Sequence, residues 1–211
     1  MAVFYRVERI EEGDMMTEHS WDRLLKIRTT GRDDSRSDQY RYPYEASPYD
    51  VLERLAGSGY ITKRNTLLDY GCGKGRVDFY MSYQCRCGCI GIECDDRIFQ
   101  TLLKNMDTAV SAAKVIPVCM PAEKYQLPAS VDRIYFFNPF SVEILGSVME
   151  RIRQSWYDRP REILLFFYYP SDEYAGWLMT VDELMFLDEI DCRDLFKTED
   201  HRERIMVFRF G

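Results

Sequence analysis

The hydrophobic pattern changes character near residue 48. Residues 1–47 show no sustained period and no broad apolar face, apart from one short helical signature around 21–27. Pro43 and Pro48 punctuate the end of that stretch. Beyond it, Val51, Leu52, Leu55 and Ala56 fall at helical spacing, and Gly57-Ser58-Gly59 stops that helix. Thr66-Leu67-Leu68-Asp69-Tyr70 reads as a buried strand running into a glycine turn. The pattern then predicts a helix over 76–84, a strand over 88–93, a helix over 96–105 and a strand over 114–118. A strand over 133–137, a helix over 142–156 and a strand over 162–169, stopped by Pro170, come next. Two last strands, over 185–195 and 204–210, are joined by a polar stretch.

Strand and helix alternate with the spacing of βαβ units. The expectation is an α/β fold with a mostly parallel sheet and helices on both faces. The closing pair reads as a hairpin, which places an antiparallel C-terminal strand at the sheet's end. The expected organisation is an N-terminal arm, residues 1–47, and one domain, residues 48–211, since 211 residues suffice for one substantial core.

Composition narrows the class. Hydrophobic residues make up 46% and charged residues 30%, a globular balance. No run approaches the roughly 20 apolar residues of a membrane span. The start carries charge too early for a secretory leader, so a cytoplasmic protein without membrane association is expected. The seven cysteines agree with a reducing compartment. Cys85, Cys87 and Cys89 alternate on one face of a strand, and with Cys94 they lack the paired spacing and nearby histidines of a metal site, so no metal is expected. The net charge of −7 gives no electrostatic argument for a nucleic-acid partner.

The chemistry is concentrated after the first strand, where an open parallel sheet binds ligands. Gly71, Gly73 and Gly75 alternate behind Asp69; glycine permits a tight turn and lets backbone approach a ligand. A dinucleotide fingerprint needs glycine at position 76, which is Arg76. An acid that accepts ribose hydroxyls is needed at the end of the next strand, about 20 residues on, and Gly91-Ile92-Glu93 supplies it.

This run, Leu67-Leu68-Asp69-Tyr70-Gly71-Cys72-Gly73-Lys74-Gly75 followed by Glu93, resembles the signature of class I S-adenosylmethionine-dependent methyltransferases. The resemblance implies a Rossmann-like fold and S-adenosyl-L-methionine as cofactor. It implies that the loop, Asp69, Gly71, Cys72, Gly73 and Gly75, wraps the methionine part, that Asp69 helps bind its amino end, and that Glu93 holds the ribose. It further implies an adenine subsite after the third strand, where Pro121, Ala122 and Glu123 stand. After the fourth strand, Asn138-Pro139-Phe140-Ser141 is similar to the D/N-P-P-F/Y motif of the family's amine methylases, with one proline fewer. The resemblance makes Asn138, Pro139 and Phe140 candidate catalytic residues acting on a nitrogen of RNA or protein. The residues alone are equally an ordinary strand-to-helix junction with Ser141 as N-cap.

Three further readings stay open. Tyr40-Arg41-Tyr42-Pro43-Tyr44-Glu45 offers rings that either stack on a ligand or anchor the arm to the sheet. The acceptor is an RNA, a protein or a small molecule. A nicotinamide-dependent oxidoreductase and a noncatalytic cofactor-binding module are the alternative functions. His19 and His201 are isolated in the sequence, and no general base stands out.

Overall fold

Leu67 and Leu68 are adjacent in the chain and fall into different hydrophobic clusters, as a strand covered on both faces requires. The computed structural model describes residues 16–33, 44–197 and 200–211. Their elements run α1 (Glu18–Leu25), α2 (Tyr49–Gly57), β1 (Thr66–Tyr70), α3 (Arg76–Gln84), β2 (Gly88–Glu93), α4 (Asp96–Thr108) and β3 (Val115–Cys119). They continue with β4 (Arg133–Phe137), α5 (Val142–Asp158), β5 (Ile163–Tyr168), α6 (Asp172–Leu178), β6 (Leu184–Asp191) and β7 (Arg204–Phe210). The strands form one seven-stranded sheet in the order β3-β2-β1-β4-β5-β7-β6. β1 to β5 pair in parallel, and strand order reverses between β1 and β4. That reversal puts the carboxyl ends of β1 and β4 side by side, the place where such sheets bind ligands.

The antiparallel C-terminal strand is present, with a difference of place. β7 lies between β5 and β6 and runs antiparallel to both, so β6 is the edge. The side chains explain the order. Ile205 and Val207 enter one core while Met206 and Phe208 enter the other, so β7 is apolar on both faces and belongs inside the sheet. β6 exposes Met185, Phe186 and Leu187 and suits an edge. It also ends at Asp191, short of the expected 195. There the backbone of Cys192 donates to the Glu203 carbonyl (2.9 Å), and Arg193–Leu195 form a 3-10 turn.

The core has two halves. Trp21, Tyr49, Phe79, Tyr80, Tyr135 and Phe166 fill the side under α1, α2 and α3. Phe136, Met149, Ile152, Phe167, Tyr174 and Phe208 fill the side under α5 and α6. Two parts of this were not foreseen. α6 falls between Pro170 and the strand expected from 185, where no element was predicted: Ser171 caps it by accepting from the Tyr174 N–H (3.2 Å), and Tyr174 and Leu178, one turn apart, are buried. The described part of the arm also belongs to the core. Trp21 stacks at 5.7 Å on Tyr49 and meets Tyr80 edge-on at 5.0 Å, while Leu25 and Ile27 are buried beside them. After α1 the chain reaches Asp33, whose backbone pairs antiparallel with that of Tyr44. Tyr40, Arg41, Tyr42 and Pro43 lie outside the described residues. Among the described residues no helix is long and apolar enough to cross a membrane.

Candidate active site

β1 delivers Asp69 and Tyr70 into the glycine turn. The N–H groups of Gly71 and Cys72 both donate to the Ile92 carbonyl (2.9 Å each), and Gly75 N–H donates to the Cys72 carbonyl (2.9 Å). The turn is thereby fastened to the end of β2. Each of its glycines has a positive φ (78°, 57° and 85°), and each is close to protein. A Cβ on Gly71 would stand 2.7 Å from Pro139 Cβ; on Gly75, 2.8 Å from Phe79; on Gly73, 2.1 Å from the Tyr44 ring. Gly75 is thus the N-cap that lets α3 pack, rather than a wall of the cavity. Because the amides of Gly71, Cys72, Gly73 and Gly75 are all spent on the protein's own acceptors, the turn offers shape and the Asp69 carboxyl rather than an amide cradle.

Glu93 closes the β2 end. Its Oε2 accepts from Gly73 N–H (3.1 Å) and its Oε1 from the N–H groups of Cys94 and Asp95 (2.7 Å each). A carboxylate accepts about four hydrogen bonds, so about one position is left for a ligand. Burial pushes the Glu93 carboxyl above its usual range, against those three amides. Asp69 is 3% exposed, and its Oδ2 has no hydrogen-bond partner. Burial, and then the charge of Glu93, pushes Asp69 up to about 8. Beneath them Asp78 is fully buried with both oxygens unpartnered; burial and then the charge of Asp69 push its carboxyl well above the usual range. Gly91 makes room for it, since a Cβ there would lie 2.5 Å from Asp78 Oδ2 and 2.8 Å from Cys72 Sγ.

Asp69 and Glu93 open into a cavity of about 400 Å³ at the carboxyl ends of β1, β2 and β4. Of the residues singled out in the sequence, Asp69, Gly71, Cys72, Glu93, Pro121, Ala122, Glu123, Pro139 and Phe140 line it. Ile92, Ile98, Met120 and Ala122 make one apolar wall, and Phe137, Pro139, Phe140 and Ile144 another. Gly73, Gly75 and Asn138 are not among the lining residues. Asn138 sits at φ 41°, a left-handed conformation that asparagine tolerates better than most residues, and its buried Oδ1 has no partner. Tyr169, also before a proline, ends β5 the same way at φ 52°. The junction after Asn138 is held from α6, whose Tyr174 hydroxyl donates to the Phe140 carbonyl (2.5 Å).

The arm closes the remaining side, through Asp33, Tyr44, Glu45, Ala46 and Ser47. Arg76, noted in the sequence only as the residue that breaks a dinucleotide fingerprint, fastens it. Its guanidinium is buried, donates to Thr29 Oγ1 (2.7 Å) and the Ser47 carbonyl (3.1 Å), and pairs with Glu18. It also lies 3.9 Å from Asp22 and 4.3 Å from the centre of the Tyr49 ring. Tyr44, one of the arm rings singled out in the sequence, lines the cavity; Arg76, Ser47 and Tyr135, whose hydroxyl lies 3.0 Å from Ser47 Oγ, are the site residues that sequence reading missed. An arginine beginning a helix beside a glycine turn, facing an acid-bearing arm, was the signal available for Arg76. Elsewhere, Cys87 and Cys89 are buried with their sulfurs 3.7 Å apart, and Cys94 and Cys119 are exposed. No group of three or more potential metal ligands is gathered among the described residues.

No family model and no curated protein matches the sequence. Solved structures do match the fold. An RNA methyltransferase from Salinibacter ruber in complex with S-adenosyl-L-homocysteine aligns over 79% of this chain and 92% of its own, at 17% identity and a TM-score of 0.52. The fold is that of the class I methyltransferases. A precorrin-6y C5,15-methyltransferase from Geobacter metallireducens shares it over 79% of this chain and 89% of its own (16% identity, TM-score 0.54). So does a protein in the NADB-Rossmann superfamily from Streptococcus agalactiae, over 80% and 70% (17% identity, TM-score 0.57). The methyltransferase fold therefore accounts for the sheet order and the place of the cavity, and the named acceptors of these proteins differ.

Proposed function

We propose that the protein is an S-adenosyl-L-methionine-dependent methyltransferase. The observation that carries the proposal is the pair of buried carboxyls, Asp69 and Glu93, at the mouth of the first two strands. Asp69 lines the cavity and keeps a buried oxygen without a partner, which fits an ammonium group, and Glu93 keeps one acceptor position, which fits a ribose hydroxyl. Ile92, Ile98, Met120 and Ala122 provide an apolar slot for the adenine, with Glu123 at its rim. Bound there, the cofactor would supply an activated methyl group. The chain's own part is to hold an acceptor in line and keep water away, which the walls of Phe137, Pro139, Phe140 and Ile144 favour.

The acceptor reading rests on Asn138. Asn138 stands behind the lining residues Pro139 and Phe140, and its buried, unpartnered Oδ1 would have to turn past Pro139, which abuts Gly71, to meet an amine N–H of RNA, protein or a small molecule. Pro139 fixes the turn and Phe140 gives an apolar face to the acceptor. The seven unpaired cysteines favour a cytoplasmic setting. A nicotinamide enzyme is disfavoured, because Arg76 stands where its glycine is needed and is engaged by the arm. Thermal unfolding with each ligand separates the readings. S-adenosylhomocysteine should raise the melting temperature in a concentration-dependent way and NAD should leave it unchanged; the reverse pattern refutes the proposal.

A further inference from the structure

Tyr44 is the arm residue most firmly fixed against the glycine turn. Its backbone exchanges hydrogen bonds with Asp33 (2.8 and 3.1 Å), and its hydroxyl donates to the Thr29 carbonyl (2.6 Å). Its ring lies so close to Gly73 that a Cβ there would be 2.1 and 2.3 Å from two ring carbons. The ring also lines the cavity that Asp69 and Glu93 enter. Burial pushes the phenol above its usual range, so the ring stays neutral and keeps its electron-rich faces. It already meets one cation: Lys74 Nζ, which does not line the cavity, sits 4.6 Å from the ring centre.

We propose that the Tyr44 ring forms the wall against which the positively charged sulfur of the cofactor rests, making Tyr44 the residue by which this site distinguishes the sulfonium form from the spent thioether. The inference rests on the methyltransferase reading and adds a role for the arm. Three features support it. The ring is fixed against Gly73, the middle glycine of the turn behind Asp69. A cation over an aromatic face is attracted, the more so where water is reduced. The two carboxyls that line the same cavity, with Asp69 held ionised by the ligand's ammonium, suit a cation and supply no comparable attraction to a neutral thioether.

The test compares S-adenosylmethionine with S-adenosylhomocysteine by titration calorimetry on the wild type, Tyr44→Phe and Tyr44→Leu. Tyr44→Phe keeps the ring and should keep the ratio of the two affinities. Tyr44→Leu should shift that ratio against the sulfonium form by about three- to thirtyfold, the range of a partly desolvated cation–π contact. An equal loss for both ligands would make Tyr44 a packing residue, and tighter binding of both would make it a plug; either overturns the proposal. Failure of both ligands to bind the wild type would instead overturn the methyltransferase reading. Should Tyr44→Leu not fold, methyl-labelled S-adenosylmethionine on the wild type decides. The bound methyl proton resonance should be displaced upfield by the ring, and an undisplaced resonance refutes the contact.

Discussion

Arg76→Met removes the group that fastens the arm while keeping an unbranched side chain of similar reach. Arg76 is 3% exposed, and the substitution loses two hydrogen bonds, the Glu18 pair and the stacking on Tyr49. Removing one partner of a buried charged pair costs about 3–5 kcal/mol. Two features place this case at the lower end. The Glu18 side chain is 44% exposed, so water takes up part of its charge. Asp22 keeps three donors, the Thr29 N–H (2.7 Å), the Thr29 hydroxyl (2.6 Å) and the Tyr49 hydroxyl (2.7 Å). The expected cost is therefore about 3 kcal/mol, felt first by the arm. Native-state hydrogen exchange reads it directly. Amides of 16–33 should exchange about a hundredfold faster, while those of β4 and β5 change less. Arg76→Lys, which retains charge without the planar fork, should fall between. Arm amides within about threefold of the wild type in Arg76→Met would refute the assignment of Arg76 as the fastening.

Asp69 makes cofactor affinity depend on pH. With its carboxyl near 8 in the free protein, Asp69 is mostly protonated at pH 7. A ligand ammonium holds it ionised, so binding releases a proton and affinity rises between about pH 6.5 and pH 8. Calorimetry in buffers of different ionisation enthalpy counts that proton, and Asp69→Asn should abolish the release. The same raised value opposes folding at neutral pH, because the unfolded chain ionises Asp69 from about pH 4 upward. Its stability contribution is present below about pH 4 and is lost as pH rises through about 8, so Asp69→Asn should stabilise the free protein at pH 7.5. Asn138→Ala should leave S-adenosylhomocysteine affinity within about twofold and lower kcat for an amine acceptor at least tenfold; a large loss of cofactor affinity would argue against an acceptor role.

Most of the sheet was legible because burial on both faces writes itself as short apolar runs. β1, β2, β4 and β5 fall where those runs predict, and the helix over 76–84 begins and ends as expected. The order of the last two strands was not legible. Adjacency in sequence says that two strands pair, and only the burial of β7 on both faces says which lies inside. α6 was hidden by its length, seven residues with two buried positions, although Ser171 and the acids after it form a start signal. The arm gave only the short helical signature over 21–27, which falls on α1, and nothing in its sparse apolar residues told of its share in the core. At the site, Asp69 and Glu93 were readable because their chemistry is tied to strand ends. Gly73 and Gly75 were read as ligand-facing, and the structure gives them protein neighbours instead. The role of Tyr44 stayed open between ligand and anchor, and Arg76 escaped, because their partners are distant in sequence and spacing carries no information about such pairs.

Glu93 is the residue through which the cavity beneath the glycine turn is proposed to bind S-adenosylmethionine. Titration calorimetry with S-adenosylhomocysteine on the wild type and on Glu93→Ala, with folding of the variant checked by thermal unfolding, tests it most directly. The wild type should bind at one site per chain, with affinity lower by about ten- to a hundredfold in Glu93→Ala, the worth of a hydrogen bond to a charged group. No binding to the wild type, or equal affinity in the folded variant, would contradict it.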